Sequence, residues 1–164
     1  MTSTLPQVSH EHHERLTRHI DRMPAVGDLI GKVPADELRS RIDEVSEFLD
    51  GLLIPHMEAA ERALYPELER QLQNRHSMTP MRAEHAEIRR LVSEIGRLRR
   101  DLDAGHVSTR QAVALRRVLF NLYAMLKIHL AEEELYLGII TKGAQAGAAD
   151  AIAAALEHPI VAQR

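Results

Sequence analysis

Four stretches of this chain repeat apolar residues at alternating steps of three and four, and each seam places a histidine where a core side chain belongs. The second stretch reads Leu38, Ile42, Val45, Leu49, Leu52, His56, and the third reads Met81, His85, Ile88, Val92, Ile95. The fourth reads Leu115, Leu119, Leu122, Leu126, His129, Glu133, Tyr136, Ile140. The first is less regular, with His13, Leu16, Ile20 and Met23. Such spacing keeps side chains on one face of a helix. Breaks near 23–36, 74–80 and 103–109 divide the chain into helical segments of roughly 7–28, 35–74, 78–103 and 108–141, with Ser108 or Thr109 placed to cap the last. Four such seams with short connections predict an all-α fold, an antiparallel up-down four-helix bundle. The bundle is expected over residues 1–141. Residues 142–164, rich in Ala and Gly, form a short C-terminal extension expected to hold one short helix.

The spacing has a second regularity. From His13 to His56 is 43 residues, and from His85 to His129 is 44. The halves look like two copies of one helical hairpin with a histidine on each arm, so four imidazoles are expected to converge at one depth. Buried imidazoles need hydrogen-bond partners or a metal. With no cysteine in the chain, the donors are nitrogen and oxygen, which suits iron, manganese or zinc. In "KIHLAEEELY" (127–136), Glu133 stands one turn after His129, so both side chains can address one ion. Glu132, three residues on, is a second candidate, and Glu134 is expected to face away.

The remaining composition narrows the function. Lys and Arg number 21 against 24 Asp and Glu, which is too balanced for a nucleic-acid partner. Two Phe, three Tyr and no Trp leave little to stack on bases. No run of apolar residues is long enough to span a membrane. The N-terminus lacks a secretory pattern, so a cytoplasmic protein is expected.

The stretches "EHHERLTRHIDRM" (11–23), "IPHMEAAERALYPEL" (54–68), "EHAEIRRLV" (84–92) and "KIHLAEEELYL" (127–137) give the chain a resemblance to the hemerythrin-like, or HHE cation-binding, family. The match runs over roughly residues 8–141. The family pattern is a lone histidine, His-x-x-x-Glu, a lone histidine and again His-x-x-x-Glu, one element per helix. A ferritin-like site would carry Glu-x-x-His, and no histidine here follows a glutamate by three. The resemblance implies a hemerythrin-type bundle holding non-haem iron, two ions with an oxo or hydroxo bridge, with zinc or manganese as substitutes in a purified sample. It implies a small ligand such as dioxygen, nitric oxide or peroxide, and leaves open whether that ligand is bound, sensed or reduced in a catalase-like or peroxide-reducing reaction. Two alternatives stand beside it: a metal-occupancy sensor or iron-storage module without catalysis, and a bundle that has lost its metal.

Carried over residue by residue, the pattern assigns His13, His56, His85, His129 and Glu133 as metal ligands, with His12 as alternate to His13. One position departs: His56 is followed at the fourth residue by Ala60. Glu58 and Glu61 flank the gap but point about 200° and 140° away from His56 in a regular helix. Pro55 disturbs this turn, and a π-type bulge between 56 and 61 would bring Glu61 round as a ligand. Otherwise Glu132, Tyr136 or a water takes the missing place. His10, His19, His76, His106 and His158 are expected on the surface or in loops.

Overall fold

The computed structural model describes residues 5–102, 106–143 and 146–157, and every regular element among them is helical. Helix α1 spans Leu5–Ile20 and α2 spans Met23–Leu29. A continuous rod follows: α3 (Ala35–Phe48), a π-helical segment Leu49–Leu53, α4 (Ile54–Ala59), a second π segment Ala60–Leu64, and α5 (Tyr65–Gln71). Then come α6 (Thr79–Arg100), α7 (Thr109–Gly143) and α8 (Ala146–Glu157). The segment expected as one helix over 7–28 is two. Pro24 falls in the first turn of α2, and its ring would meet the Ile20 carbonyl if α1 ran on.

The π segments have the same local cause. Pro55 and Pro66 each follow a π segment by two residues. A proline inside a helix offers no N–H and crowds the carbonyl four residues earlier, here Gly51 and Arg62. Widening the turn to five residues accommodates the ring without ending the helix. His56 therefore sits on a short α-helical piece between two wide turns.

Helices α1 and α6 both pack along α7, α3 packs on α6, and α8 lies against α1 and the second π segment. The buried apolar side chains form two clusters. The larger runs from Leu16, Leu38 and Ile95 to Leu53, Met57, Ile88, Leu126 and Leu130. The smaller joins Ala60, Leu64, Tyr65, Leu68, Met81, Leu137 and Ile140 to Ile152 and Leu156 of α8. Where α4, α6 and α7 pass from one cluster toward the other come His56, His85, His129 and Glu133, and His12 and His13 of α1 are buried as well. No helix among the described residues is long and apolar enough to cross a membrane.

The start of α7 is held by reciprocal hydrogen bonds. The Ser108 hydroxyl accepts the Gln111 N–H at 3.3 Å, and the Gln111 side-chain carbonyl accepts the Ser108 N–H at 2.9 Å. Ser108→Ala is expected to cost about 1 kcal/mol, a fall of about 2–4 °C in melting temperature for a chain this size, read by thermal circular dichroism.

Candidate metal centre

Helix α1 turns two consecutive histidines inward, His12 at 2% and His13 at 6% exposure. His13 Nε2 lies 3.2 Å from Glu133 Oε2, and its Nδ1 donates to Glu134 at 2.8 Å. His56 Nε2, from α4, lies 2.8 Å from the same Glu133 oxygen. Ligand atoms of His13, His56 and Glu133 all fall within 4.8 Å of one another. His12 stacks on His56 with ring centroids 4.9 Å apart, and its Nδ1 accepts from Arg15 at 3.0 Å.

The other two histidines form a second group. His85 Nδ1 donates to Glu61 at 2.6 Å, and Arg89 also donates to that carboxylate at 3.0 Å. His129 Nδ1 donates to Glu84 at 2.8 Å. With both Nδ1 positions carrying the proton, each Nε2 presents a lone pair. Those two nitrogens face each other at 3.1 Å, and the Tyr65 hydroxyl stands 3.0 Å from that of His85.

The electrostatics follow from burial and pairing. Burial and the neighbouring His129 push His85 down to about 4. Burial, then the charges of His56 and Arg15, push His12 to about 3. Burial also lowers His129, although Glu133 opposes it. Burial works to raise the Glu133 carboxyl, but His56 and His13 outweigh it and hold it well below the usual carboxylate range. His13 moves up for the complementary reason: burial lowers it, and Glu133 and Glu134 more than compensate. Tyr65 is raised by burial and by the carboxylates of Glu133, Glu61 and Glu84, so its hydroxyl keeps its proton.

This donor set suits a cation and little else. Two neutral imidazoles aiming lone pairs at one another repel, and one tyrosine proton serves only one of them. His12 Nε2, His13 Nε2, His56 Nδ1 and Glu133 Oε1 are buried without a hydrogen bond of good geometry, each a penalty unless something fills the space. Carboxylates behind His85, His129 and His13 orient the rings as outer partners of metal-bound histidines do.

The structure brings His13, His56 and Glu133 together, and His85 with His129. His12 is buried beside His56. Glu61 is not among the clustered ligand atoms. The widened turn, Ala60–Leu64, overlaps only the end of the stretch 56–61 where it was expected, and Glu61 meets the outer nitrogen of His85 instead. Glu58 is exposed. Glu132 hydrogen-bonds with Glu84: burial and then Glu84 raise the Glu132 carboxyl, whereas burial and the charge of Glu133 raise Glu84 against the lowering effect of that hydrogen bond. Tyr136 packs against the smaller apolar cluster. His10, His76 and His106 are exposed, as is His19, whose ring lies on Phe48; His158 lies outside the described residues.

Sequence reasoning passed over Tyr65, Glu84 and Glu134. Tyr65 is nine residues after His56, about half a turn out of phase in a regular helix. Each residue absorbed by a π turn takes back about 100°, and Pro66 was the signal that such a turn precedes it. Glu84 adjoins its own helix's ligand, so only the packing of α6 on α7 reveals that it serves His129. Glu134 was expected to face away from the ion, and it does so by reaching the far side of His13 instead of solvent.

Buried histidines backed by carboxylates inside a helical core define a cation-binding helical protein. The family model of the hemerythrin HHE cation-binding domain matches residues 5–140, and the chain belongs to that family. No curated protein and no solved structure matches it.

Because Glu61 orients His85 from outside, Glu61→Ala is expected to lower metal affinity about 10–100-fold while the fold persists. Competition titration against a chromophoric chelator checks this.

Proposed function

We propose that this protein is a non-haem iron protein that binds or reduces a small oxygen species. Supporting this is the antiparallel course of neighbouring rods, as a four-helix bundle requires. Residue pairs such as Asp43 with Arg99 and Glu69 with Arg82 run in opposite directions along α3–α5 and α6. His129 with Glu84 and Glu94 with Arg117 do the same for α6 and α7. His13, His56 and Glu133 would hold one iron. His85 and His129 would hold a second, with the Tyr65 hydroxyl in reach.

The single observation carrying the reading is the pair of facing Nε2 atoms of His85 and His129, with the carboxylates that fix their tautomers. Iron supplies reversible redox change and an exchangeable coordination position for a diatomic or peroxide ligand. The chain supplies the rest. Glu133 balances the charge, Leu126, Leu130 and Ile88 keep the histidine layer dry, and Tyr65 retains a proton beside the pair. Ala60 leaves the rod of His56 without the carboxylate of the usual His-x-x-x-Glu element, and the oxygen beside His56 comes from Glu133 of α7 instead.

The test is an element count after aerobic purification without added metal, joined to an absorption spectrum. About two irons per chain with charge-transfer bands that shift on adding peroxide or nitric oxide are expected. A chain that takes up no iron, even when refolded with ferrous salt, would overturn the proposal.

A further inference from the structure

Three of the buried histidines turn Nδ1 to a carboxylate: His13 to Glu134, His85 to Glu61 and His129 to Glu84. A carboxylate accepts, so each of these Nδ1 atoms carries the proton and each Nε2 keeps a lone pair. His12 is built the other way. Its Nδ1 meets the Arg15 guanidinium at 3.0 Å, and a guanidinium has only donors. Nδ1 is therefore the acceptor, the ring is neutral, and the proton sits on Nε2.

That N–H is left bare. His12 is 2% exposed, and its Nε2 is buried without a hydrogen bond. Arg15 is exposed, so Nδ1 is the nitrogen on the solvent side and Nε2, across the ring, is the enclosed one. The ring stacks on His56, with centroids 4.9 Å apart and planes 26° apart, and His56 Nε2 meets Glu133 at 2.8 Å. The bare donor thus lies in the layer of the His13–His56–Glu133 group. His12 is not a fourth member of that group, whose clustered ligand atoms come from the other three residues. Ligation through Nε2 would need the lone pair there, and Arg15 holds it on Nδ1.

We infer that His12 is the hydrogen-bond donor to the external ligand of the metal centre, and that it favours a small anion such as hydroperoxide or azide over a neutral diatomic.

This rests on the iron reading above and narrows its ligand. A buried N–H without an acceptor is a penalty to the fold, and a ligand that brings an acceptor removes it. An anionic acceptor makes a hydrogen bond roughly twice as strong as a neutral one. The setting enlarges the difference, because Leu16, Leu53 and Met57 are fully buried in the same part of the core and keep the local dielectric low. A cavity of about 530 Å³ lined by Thr17, Leu130 and Glu134 reaches His13, which gives a small ligand a route to this layer. Arg15 acts through His12 and is a positioning residue: it fixes which ring nitrogen holds the proton.

The test titrates the iron-loaded protein with azide and with nitric oxide, each followed by absorption. His12→Phe keeps a ring to stack on His56 and removes the donor. It is expected to hold the wild-type iron count and to bind azide about 10–100-fold more weakly, with nitric oxide weakened less. His12→Gln, whose amide offers an N–H at similar reach, should recover most of the azide affinity, which a packing role alone does not predict. Arg15→Leu should fall between His12→Phe and the wild type. Nitrogen NMR of the isotope-labelled, zinc-loaded protein should show His12 protonated at Nε2 and free of metal. Unchanged azide affinity in His12→Phe, equal weakening of azide and nitric oxide, loss of iron from His12→Phe, or zinc on His12 Nε2 would each overturn the inference. Each of these failures in a wild type that holds iron leaves the iron reading standing, whereas a wild type without iron sinks both.

Discussion

Stripping metal from the protein with a chelator is expected to lower its melting temperature by about 8–16 °C. A cation present at about a thousandfold its Kd stabilises the folded state by about 4 kcal/mol, and each kcal/mol moves the midpoint of a chain this size by about 2–4 °C. The structure gives the physical source. Without a cation, the lone pairs of His85 and His129 oppose each other at 3.1 Å, and four further buried polar atoms make no hydrogen bond of good geometry. The two apolar clusters on either side keep the apo chain folded, so the transition should stay cooperative and shift downward. Re-addition of ferrous iron under anaerobic conditions should restore it. A midpoint that stays within about 2 °C through removal and return, against a shift this arithmetic puts several times larger, means that the imidazoles are satisfied internally and nothing there depends on a metal.

Much of this fold is visible along the sequence because it is written in one period. The seams of α3, α6 and α7 recur every three to four residues. Leu38, Ile42, Val45, Ile88, Ile95, Leu115 and Leu122 are all buried as that period requires. His85 and His129 break the apolar series without leaving it, so their inward placement was legible too. What the period could not carry is any local change in the helix itself. The two π segments displace everything after them, so Tyr65, half a turn from His56 in a regular helix, went unnoticed, and the widened turn expected between 56 and 61 to bring Glu61 round to His56 lies instead at Ala60–Leu64. Contacts between helices were hidden for another reason. Glu84 serves His129 from α6, and the sum of two helix positions cannot be read from either alone. The roles of Glu134 and Glu61 are of the same kind: a residue one or two steps off the seam looks solvent-directed until a neighbouring helix supplies a ring nitrogen to meet it. Helix α8 lay in a stretch of small residues with little periodic signal, yet Ile152 and Leu156 suffice to dock it over the second π segment.

Glu133→Gln is expected to remove one metal ion of two while leaving the fold in place. Glu133 is fully buried and, among the described residues, is the one carboxylate whose oxygen lies within reach of both His13 and His56. The amide keeps nearly the same volume, so the packing around it changes little, but it cannot supply the negative charge that offsets a cation in a low-dielectric layer. Loss of that charge at a first ligand should weaken the His13–His56 ion at least about a hundredfold, more than the 10–100-fold typical of an outer partner. The His85–His129 group is built from α6 and α7 rings held by Glu61 and Glu84, and it should keep its ion. The outcome to measure is about one iron per chain in place of two, with the metal-dependent gain in melting temperature reduced by about half. His129→Ala should take the other ion, and the double variant should bind none and melt where the stripped wild type does. If Glu133→Gln instead empties both positions together, the two groups form one inseparable centre and Glu133 bridges it. If it empties neither, His13 and His56 are not ligands, and the assignment of the first site fails on that count alone.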